Sequence, residues 1–471
     1  MIYNEANFPE LPRSWASLTV DASVDSAGNS NKKLKTKDAL DHGRFPVIDQ
    51  GQSDISGYSD DESLVVEASE SNPVILFGDH TRILKQVSQS FVPGADGTKL
   101  FRAKSFWDTR FVYQMLRAIK LPDKGYARHF QYLRESVLPL PPLPEQKRIA
   151  DKLDAVLARV DACRDRLNRI PAILKRFRQS VLAAATSGKL TEDWRELNRQ
   201  PVAQASDEVL QRLNLRREKN PTNKKFKEPS ACDLTHWNLD IPSTWSVESV
   251  SAYAECLDHL RIPVTRNKRS NTQGLYPYYG ANGQVDMVDE YLFDDELVLV
   301  TEDETFYGRE KPIAYRTSGR CWVNNHAHVL LAGDRSRADY LCYALMYYDV
   351  LPWLTGTTGR AKLTQGVLNS LPIAVPPQTE LVEIVRRVEA LFAYADRLEA
   401  RHKAARAQVE KLTPATLAKA FRGELVPQDP NDEPASALLA RIRAQCDNQV
   451  INKSKRMIKQ VAQPKHSEEI L

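Results

Sequence analysis

A run of prolines leads into a long helical pattern at Pro139, in the stretch PLPPLPEQKRIADKLDAV. From Ile149 to Val181, apolar side chains recur in alternating steps of four and three residues, which is the seam of a coiled-coil helix. Proline stiffens the entry to this helix, and Glu145 suits its positive first turn. A helix of about 40 residues extends about 60 Å. Its apolar seam needs a partner that buries it.

The same pattern occurs again at VPPQTELVEIVRRVEALF, at an offset of 235 residues. Alignment without gaps from Pro141 to Leu190 gives fourteen identities with the second copy in fifty positions, against roughly three for average composition. Gly188 and Gly423 are predicted to end the two helices, and Pro171 and Pro414 to kink them. The repeat therefore predicts two similar helices in one chain.

The two helices are predicted to pair with each other as an antiparallel coiled coil, the alternative being two separate helices in two ordinary domains. In the first copy the predicted seam residues are Ile149, Leu153, Val156, Val160, Leu167 and Leu174. In the second copy they are Ile384, Val388, Leu391, Leu398, Val409 and Leu412.

A globular unit precedes each helix, and both units share an order of features. Each opens with a similar motif, LPRSW at Leu11 and IPSTW at Ile241, and continues with loops, short apolar strands, a short helix and a basic glycine-bearing segment. We interpret the chain as globular units at 1–137 and 236–370, spacer helices at 138–190 and 371–425, a tail with a basic linker at 191–235, and a C-terminal tail at 426–471. The predicted class is α+β with an internal pseudo-two-fold repeat.

The composition of the chain excludes fewer classes of function than the repeat does. The net charge is +4, so only the local placement of cations can indicate nucleic-acid binding. No apolar run reaches membrane-spanning length, the start of the chain does not resemble a signal peptide, and the six cysteines form no C-x-x-C pair. We therefore expect a cytoplasmic protein with reduced thiols, no zinc site and no membrane partner.

Motifs of catalysis are weak or absent in this sequence. It contains neither an amino-methyltransferase N-P-P-[FYW] motif nor a phosphate-binding G-x-x-x-x-G-K-[ST] loop. Asp123 with Glu145 and Lys147 fits a loose nuclease pattern, but the last two begin the long helix, and we interpret the match as coincidence. His326 and His328 would share one face of a strand, and since no third ligand is evident, we predict no metal site.

The order of two variable units, each followed by a proline–helix segment, and the motif RGELVPQDPNDEPA near the end resemble the DNA-specificity subunit of type I restriction–modification enzymes. The resemblance covers nearly the whole chain. It implies two globular α/β target-recognition domains separated by the two long helices, which space the two halves of a bipartite, asymmetric DNA site. It also implies that the chain comes from a bacterium or archaeon, is not itself an enzyme and binds no cofactor.

The resemblance further implies the partners of the chain. These are double-stranded DNA, two methyltransferase subunits that use S-adenosylmethionine, and restriction–translocase subunits that use ATP and Mg²⁺. The helix flanks at Arg148, Lys152 and Arg387, together with the tail at 438–442, are predicted to contact the methyltransferase. The alternative function is a non-catalytic coiled-coil adaptor with two protein-binding domains and no DNA contact.

Candidate DNA-binding residues are polar or cationic side chains in corresponding loops of the two units, because cations neutralise phosphates and amides read base edges. In the first unit they are Gln50, Gly51, Gln52, His80, Thr81, Arg82, Arg128 and His129. In the second unit they are Tyr279, Asn282, Gln284, Arg309, Lys311, Arg360 and Lys362.

Overall fold

The chain divides into two compact units, and both boundaries fall inside a long helix. In this computed structural model, residues 10–28, 33–94, 97–122, 125, 128–198, 205–219, 227–264, 274–302, 306–354 and 362–444 are described. The first unit comprises Met1–Asn168 and Ala404–Leu471, and the second comprises Arg169–Lys403. Each unit thus contains one globular domain and one half of each long helix. The sequence-based boundaries, which treat the helices as separate segments, stay an interpretation.

The elements follow each other in the same order in both halves of the chain. The first half forms β1 (Ala16–Thr19), α1 (Val20–Ser23), β2 (Val24–Ser26), β3 (Phe45–Ile48), β4 (Gly57–Ser59), β5 (Val74–Gly78), β6 (Leu84–Val87), β7 (Val92–Pro93), β8 (Thr98–Ala103), α2 (Thr109–Ala118), α3 (Phe130–Glu135), β9 (Val137–Leu140) and α4 (Leu143–Thr186). The second half forms α5 (Glu192–Leu197), α6 (Ala205–Lys219), β10 (Ser246–Ser249), α7 (Val250–Tyr253), β11 (Glu255–Cys256), β12 (Tyr276–Gly280), β13 (Gly283–Val288), β14 (Phe293–Thr301), β15 (Ala314–Val323), β16 (Ala327–Leu331), α8 (Arg335–Leu345), α9 (Gln365–Ser370), β17 (Pro372–Val375) and α10 (Gln378–Phe421). A helical segment follows at 435–444.

Strand pairing shows that the internal repeat extends through both globular domains. Strand β3 pairs antiparallel with β4 and parallel with β7, and β12 pairs in the same two ways with β13 and β15. Strand β5 lies between β6 and β8, as β14 lies between β15 and β16. In the second domain the ten-residue β15 takes the places of both β6 and β7. Two domains with different side chains thus share one topology.

Each domain begins and ends beside the start of its helix. Strands β1 and β9 form a two-stranded antiparallel sheet with Ala16 opposite Leu140, and β10 and β17 do the same with Ser246 opposite Val375. Pro139 is tolerated within β9 because a two-stranded sheet has only edge strands. The chain therefore leaves each domain where it entered and continues directly into a long helix.

The two long helices have equal length and equivalent ends. Each contains 44 residues, and Gln378–Phe421 lies at the predicted offset of 235 residues from Leu143–Thr186. Pro171 and Pro414 lie inside helices that continue through them. The predicted start and stop signals are thus confirmed within a few residues.

The half-helices pack against each other inside each unit, and the pairing is antiparallel. In the first unit, Ile149 and Leu153 of α4 share a core with Leu417 and Phe421 of α10. In the second unit, Val181 and Leu182 share a core with Ile384 and Val388. The beginning of one helix thus lies beside the end of the other, which confirms the predicted coiled-coil arrangement.

Ion pairs flank the apolar contact in both units. Arg164 Nε donates to Glu410 Oε1 at 3.3 Å in the first unit. In the second unit, Arg178 Nη2 donates to Asp396 Oδ1 at 2.7 Å and to Glu399 Oε2 at 3.0 Å. Such exposed pairs contribute little stability but help to define which faces of the helices meet.

The predicted seam is buried except near the end of α10. Its buried residues are Ile149, Leu153, Val160, Leu174, Ile384 and Val388, and its half-buried residues are Val156, Leu167, Leu391, Leu398 and Val409. Leu412 is 46% exposed, whereas Leu417 is buried. An α-helix drifts by about 20° per heptad from a strict 3.5-residue repeat. The buried stripe has therefore moved past Leu412 by the last turns.

A buried carboxylate in the first turn of each long helix accepts a hydrogen bond from an indole of the preceding domain. Trp15 Nε1 donates to Glu145 Oε2 at 2.9 Å, and Trp245 Nε1 donates to Glu380 Oε2 at 2.9 Å. Glu145 is 1% exposed and Glu380 is 2% exposed. These two indole–carboxylate pairs connect the motifs LPRSW and IPSTW to the proline–helix segments.

The tail that follows the other helix completes each indole–carboxylate pair. Gln428 Nε2, after α10, donates to Glu145 Oε1 at 2.5 Å. After α4, Thr191 Oγ1 donates to Glu380 Oε1 at 2.6 Å, and Arg195 forms an ion pair with the same oxygen. Three segments distant in sequence therefore meet at one carboxylate in each unit.

Glycine closes the same junction in both units. Gly188 has φ 78° and Gly423 has φ 71°, so both adopt the left-handed conformation. A Cβ atom would lie 2.5 Å from Pro242 Cγ at Gly188 and 2.6 Å from Pro12 Cγ at Gly423. The motifs SGKL and RGEL thus need glycine for backbone conformation and for close approach to the first residues of a domain.

The buried carboxylate of Glu145 fixes the position of the helix start but adds little to the free energy of unfolding when it is ionised. Burial raises the pKa of the Glu145 carboxyl, and the hydrogen bonds from Trp15 and Gln428 offset this only in part. A raised pKa means that the folded unit binds the proton more tightly than the unfolded chain does. The free energy of unfolding therefore falls as the pH rises from the ordinary pKa of a glutamate to the raised pKa of Glu145 in the folded unit. The hydrogen bonds fix where the helix starts, at a cost in solvation.

We expect the Trp15→Phe substitution to lower the free energy of unfolding of the first unit by about 1–3 kcal/mol beyond the effect of lost volume, because it removes a donor from a buried carboxylate. The matched control is Trp107→Phe, since Trp107 is 5% exposed in the same core and its Nε1 has no hydrogen-bond partner among the described residues. Calorimetric unfolding of both variants checks this, and equal losses would contradict it.

Candidate nucleic-acid interface

Three loops of the first domain meet where the sequence predicted DNA contacts. Thr81 Oγ1 donates to the Gln50 carbonyl oxygen at 2.8 Å, and His80 N donates to Gln50 Oε1 at 3.4 Å. A Cβ atom at Gly97, which has φ 86°, would lie 2.7 Å from His80 Cδ2. The structure therefore brings Gln50, His80 and Thr81 together at the ends of β3 and β5.

The exposure of these side chains separates candidates for DNA contact from residues that support the loops. Gln52, Thr81 and Arg82 are exposed, whereas Gln50, Gly51 and His80 are half-buried. Arg82 has φ 61°, a left-handed conformation that costs an arginine roughly 1–2 kcal/mol. Its backbone N–H donates to Gly78 O at 2.8 Å and closes the turn between β5 and β6. The tight turn presents Thr81 and Arg82 outward.

His129 is placed differently from the prediction. Its side chain is fully buried, so it offers no surface to a DNA groove. Asp79 Oδ1 accepts from the backbone N–H groups of His129 and Phe130, both at 2.7 Å, and the Asp79 carbonyl faces His129 Nδ1 at 3.0 Å. The predicted role as a DNA contact is therefore corrected to a supporting one, while the neighbouring Arg128 is exposed.

Predicted residues of the second domain also converge, around Arg309. Arg309 Nη2 donates to Asn282 Oδ1 at 2.7 Å and to Pro312 O at 2.9 Å, and its Nε donates to Lys311 O at 3.1 Å. Since arginine only donates, the Asn282 oxygen must face it. Arg309 is half-buried and shapes the loop, whereas Asn282, Gln284 and Lys311 are exposed.

The remaining predicted residues of this domain lie near that cluster or outside the described chain. The Tyr279 ring packs 6.1 Å from the Tyr315 ring, and the Tyr279 backbone carbonyl accepts from Asn324 N at 3.0 Å. Lys362 is exposed. Arg360, like Asp123 in the first half, lies outside the described residues.

The loops correspond in position but differ in length. The connection between β5 and β6 spans 79–83, whereas the equivalent connection between β14 and β15 spans 302–313. The longer loop carries Tyr307, an exposed residue at the turn before Gly308. Sequence reasoning missed Tyr307, although its position between Phe306 and a glycine was a signal for a turn.

His326 and His328 do not form a pair. His326 is exposed in the turn before β16, whereas His328 is 1% exposed within that strand. The ligand atoms of Asp258, Glu302 and His328 lie within 4.8 Å of one another. These two carboxylates were not identified as partners from the sequence.

Arg261 forms ion pairs with both of these carboxylates. Arg261 Nη1 donates to Glu302 Oε2 at 2.7 Å, and its Nη2 lies 3.2 Å from Asp258 Oδ2. Burial alone would raise the pKa of the Asp258 carboxyl, but the hydrogen bond from His328 and the Arg261 charge lower it below its usual range. The geometry is that of a buried ion-pair network in which each of the three side chains already has a partner.

Comparison with known proteins assigns the chain to a family. A family model described as the type I restriction modification DNA specificity domain matches residues 256–407. The chain is 31% identical over 366 residues to the type I restriction enzyme EcoDI specificity subunit of Escherichia coli, covering 72% of this chain and 76% of that protein. It is 32% identical over 320 residues to the EcoKI specificity subunit of Escherichia coli strain K12, covering 65% of this chain and 63% of that protein.

The fold also has a counterpart among solved structures. The HsdS subunit from Thermoanaerobacter tengcongensis superposes with a TM-score of 0.50 and 17% sequence identity, covering 88% of this chain and 99% of that chain. None of the helices in the described part of the chain combines the length and apolarity needed to cross a bilayer. On its identity and coverage with the curated relatives, this chain belongs to the family of type I restriction enzyme specificity subunits.

Proposed function

We propose that this chain reads a bipartite, asymmetric DNA site, one half with each globular domain, and positions the methyltransferase and restriction subunits on it. The observation that carries this proposal is the duplication of one strand topology with different side chains on corresponding loops. One scaffold that presents two sets of contacts suits two different half-sites.

The exposed side chains supply both kinds of contact that DNA recognition needs. Arg128 and Lys362 are exposed cations. Each stands immediately before a residue, His129 or Leu363, whose backbone N–H donates to the first residue after a central strand. Such cations neutralise phosphates and make binding depend on salt. Exposed amides such as Asn282 and Gln284 can pair with base edges in the major groove.

The long helices act, in this proposal, as the spacer between the half-sites. Each half-helix shares a core with one globular domain, so the helix length is transmitted to the reading loops. The chain itself carries no catalytic role. Methyl transfer with S-adenosylmethionine, and ATP- and Mg²⁺-dependent cleavage, belong to the partner subunits.

Most of the residues predicted to contact the methyltransferase have contacts within this chain. Arg148 pairs with Asp432, and Arg387 pairs with Asp193 and Glu383. Leu438 is 8% exposed in the core of the first unit, with Leu439 and Ile442 packed against that core. The tail at 438–442 therefore supports this chain's own fold, and Lys152, which is exposed, is the residue of the predicted set that we retain as a partner contact.

The decisive experiment maps methylated adenine in DNA from cells that express this chain with its methyltransferase subunit. We expect one bipartite, asymmetric motif to appear, and to disappear when the gene for this chain is deleted. If methylation appears with no such motif, or is unaffected by deletion, the chain does not direct it.

Exchange of residues 16–140 for the corresponding segment of a relative with a different target should change one half of the motif only. These limits lie within β1 and β9, so Trp15 and Glu145 keep their contact. Methylation mapping of the chimera checks this, and the unchanged half of the motif serves as the internal control. A change in both halves would contradict independent reading by the two domains.

Removal of seven residues from each long helix, at facing positions, should shorten the spacer of the motif by about three base pairs. Seven residues preserve the heptad register and shorten a helix by about 10.5 Å, and stacked base pairs rise about 3.4 Å each. Deletion from one helix alone is the control and should abolish methylation, because the antiparallel contacts no longer match. An unaltered spacer in the paired deletion would refute the spacer role.

A further inference from the structure

In both domains a buried imidazole joins the two segments that carry the candidate DNA contacts. The inference drawn from it rests on the proposed function, since it concerns how those contacts are held. The segments are the loop after the central strand, described at 79–83 or at 302 and 306–313, and the end of the basic segment, described at 128–129 or 362–363. They meet through backbone hydrogen bonds of equal length, from His129 N to Asp79 O and from Leu363 N to Glu302 O, both 2.9 Å.

In the first domain the imidazole belongs to the basic segment itself. His129 Nδ1 lies 3.0 Å from the carbonyl oxygen of Asp79. A carbonyl has no proton to give, so Nδ1 carries the proton and donates. His129 Nε2 is buried and has no hydrogen-bond partner among the described residues. The contribution of the imidazole to the bridge between the segments therefore depends on Nδ1 alone, in addition to the backbone hydrogen bonds.

In the second domain the imidazole comes from a different strand. His328 stands opposite Val300 in the sheet, the position that Lys99 occupies opposite Phe77 in the first domain. Its Nε2 lies 2.7 Å from the carbonyl oxygen of Leu363, so this nitrogen is the donor. Its Nδ1 lies 2.5 Å from Asp258 Oδ2. Here the bridge depends on Nε2, and Asp258 orients the ring.

The surrounding ion-pair network extends this bridge to the base of the long loop. Arg261 joins Glu302, the first residue of 302–313, to Asp258, and it also donates to Ala327 O at 2.8 Å. Glu302 in turn holds Leu363 through its backbone carbonyl. His328, Asp258, Arg261 and Glu302 thus form one closed set of contacts beneath both segments.

We propose that His129 and His328 are positioning residues, each of which fixes the two DNA-contact segments of its own domain relative to each other. The same task is done from two different places in the fold and through two different ring nitrogens. Each histidine should therefore govern discrimination at one half-site, without contacting DNA itself.

The two ring nitrogens allow a test in which the same substitutions have opposite effects at the two positions. An asparagine amide nitrogen takes the place of Nδ1, whereas a glutamine amide nitrogen takes the place of Nε2. His129→Asn and His328→Gln should keep their bridges, and His129→Gln and His328→Asn should lose them. Each variant is purified with its methyltransferase subunit and bound to duplexes carrying the mapped motif, or that motif with one half-site altered.

We expect His129→Gln and His328→Asn to reduce discrimination at one half-site each by about five- to tenfold, the effect of losing one buried hydrogen bond. The other half-site is the internal control, and the bridge-keeping variants should behave like the unmodified chain. Thermal unfolding of all four variants shows whether a loss of discrimination results only from a less stable fold. If one variant fails to fold, the pair in the other domain decides by the same criterion.

If the asparagine and glutamine variants discriminate the half-sites equally well at both positions, the proposal is overturned. It is also overturned if a variant loses discrimination at both half-sites. Elemental analysis of the purified chain adds an independent criterion, because a stoichiometric metal ion would give Asp258, Glu302 and His328 a different role. Failure of the unmodified complex to discriminate the motif would instead overturn the proposed function.

Discussion

The hydrogen bond between an indole and a buried carboxylate at the start of each long helix is the constraint on which the rest of the structure depends. A carboxylate removed from water requires donors, and Glu145 and Glu380 receive them from the first residues of a domain and from the tail after the other helix. The helix can therefore begin in one place only. Its pairing with the other helix, and the strand pair beside it, follow from that start.

The two domains share their strand pairing and differ in the loops that carry the candidate DNA contacts. The strands keep their pairing partners, while the loop after the central strand grows from 79–83 to 302–313. The first domain holds its loops with glycines and a strained Arg82, whereas the second uses the guanidinium of Arg309. A shared topology with different means of loop support is consistent with the proposal that each domain reads a different half-site.

Features that depend on local periodicity were predictable from the sequence, and features that depend on distant partners were not. The heptad pattern and the offset of 235 residues predicted both helices and their antiparallel pairing. The pattern was wrong at Leu412, because a real helix drifts from a strict heptad. The basic, glycine-bearing segments made Arg128 and Lys362 candidates for DNA contact, and both side chains are exposed. It could not reveal that His129 is buried, since Asp79 lies 50 residues away. Nor could it pair His328 with Asp258, which is 70 residues distant.

The first unit is built from both ends of the chain, and this has a consequence for its synthesis. Gly423 packs against Pro12, Ala435 N donates to Ser14 O at 2.9 Å, and Leu417 and Phe421 fill the core around Trp15. The second unit is continuous from Arg169 to Lys403 and can close as soon as it has been translated. The first globular domain precedes the second in the order of translation, but its core lacks Leu417 and Phe421 until α10 has been synthesised, so the first unit is completed after the second.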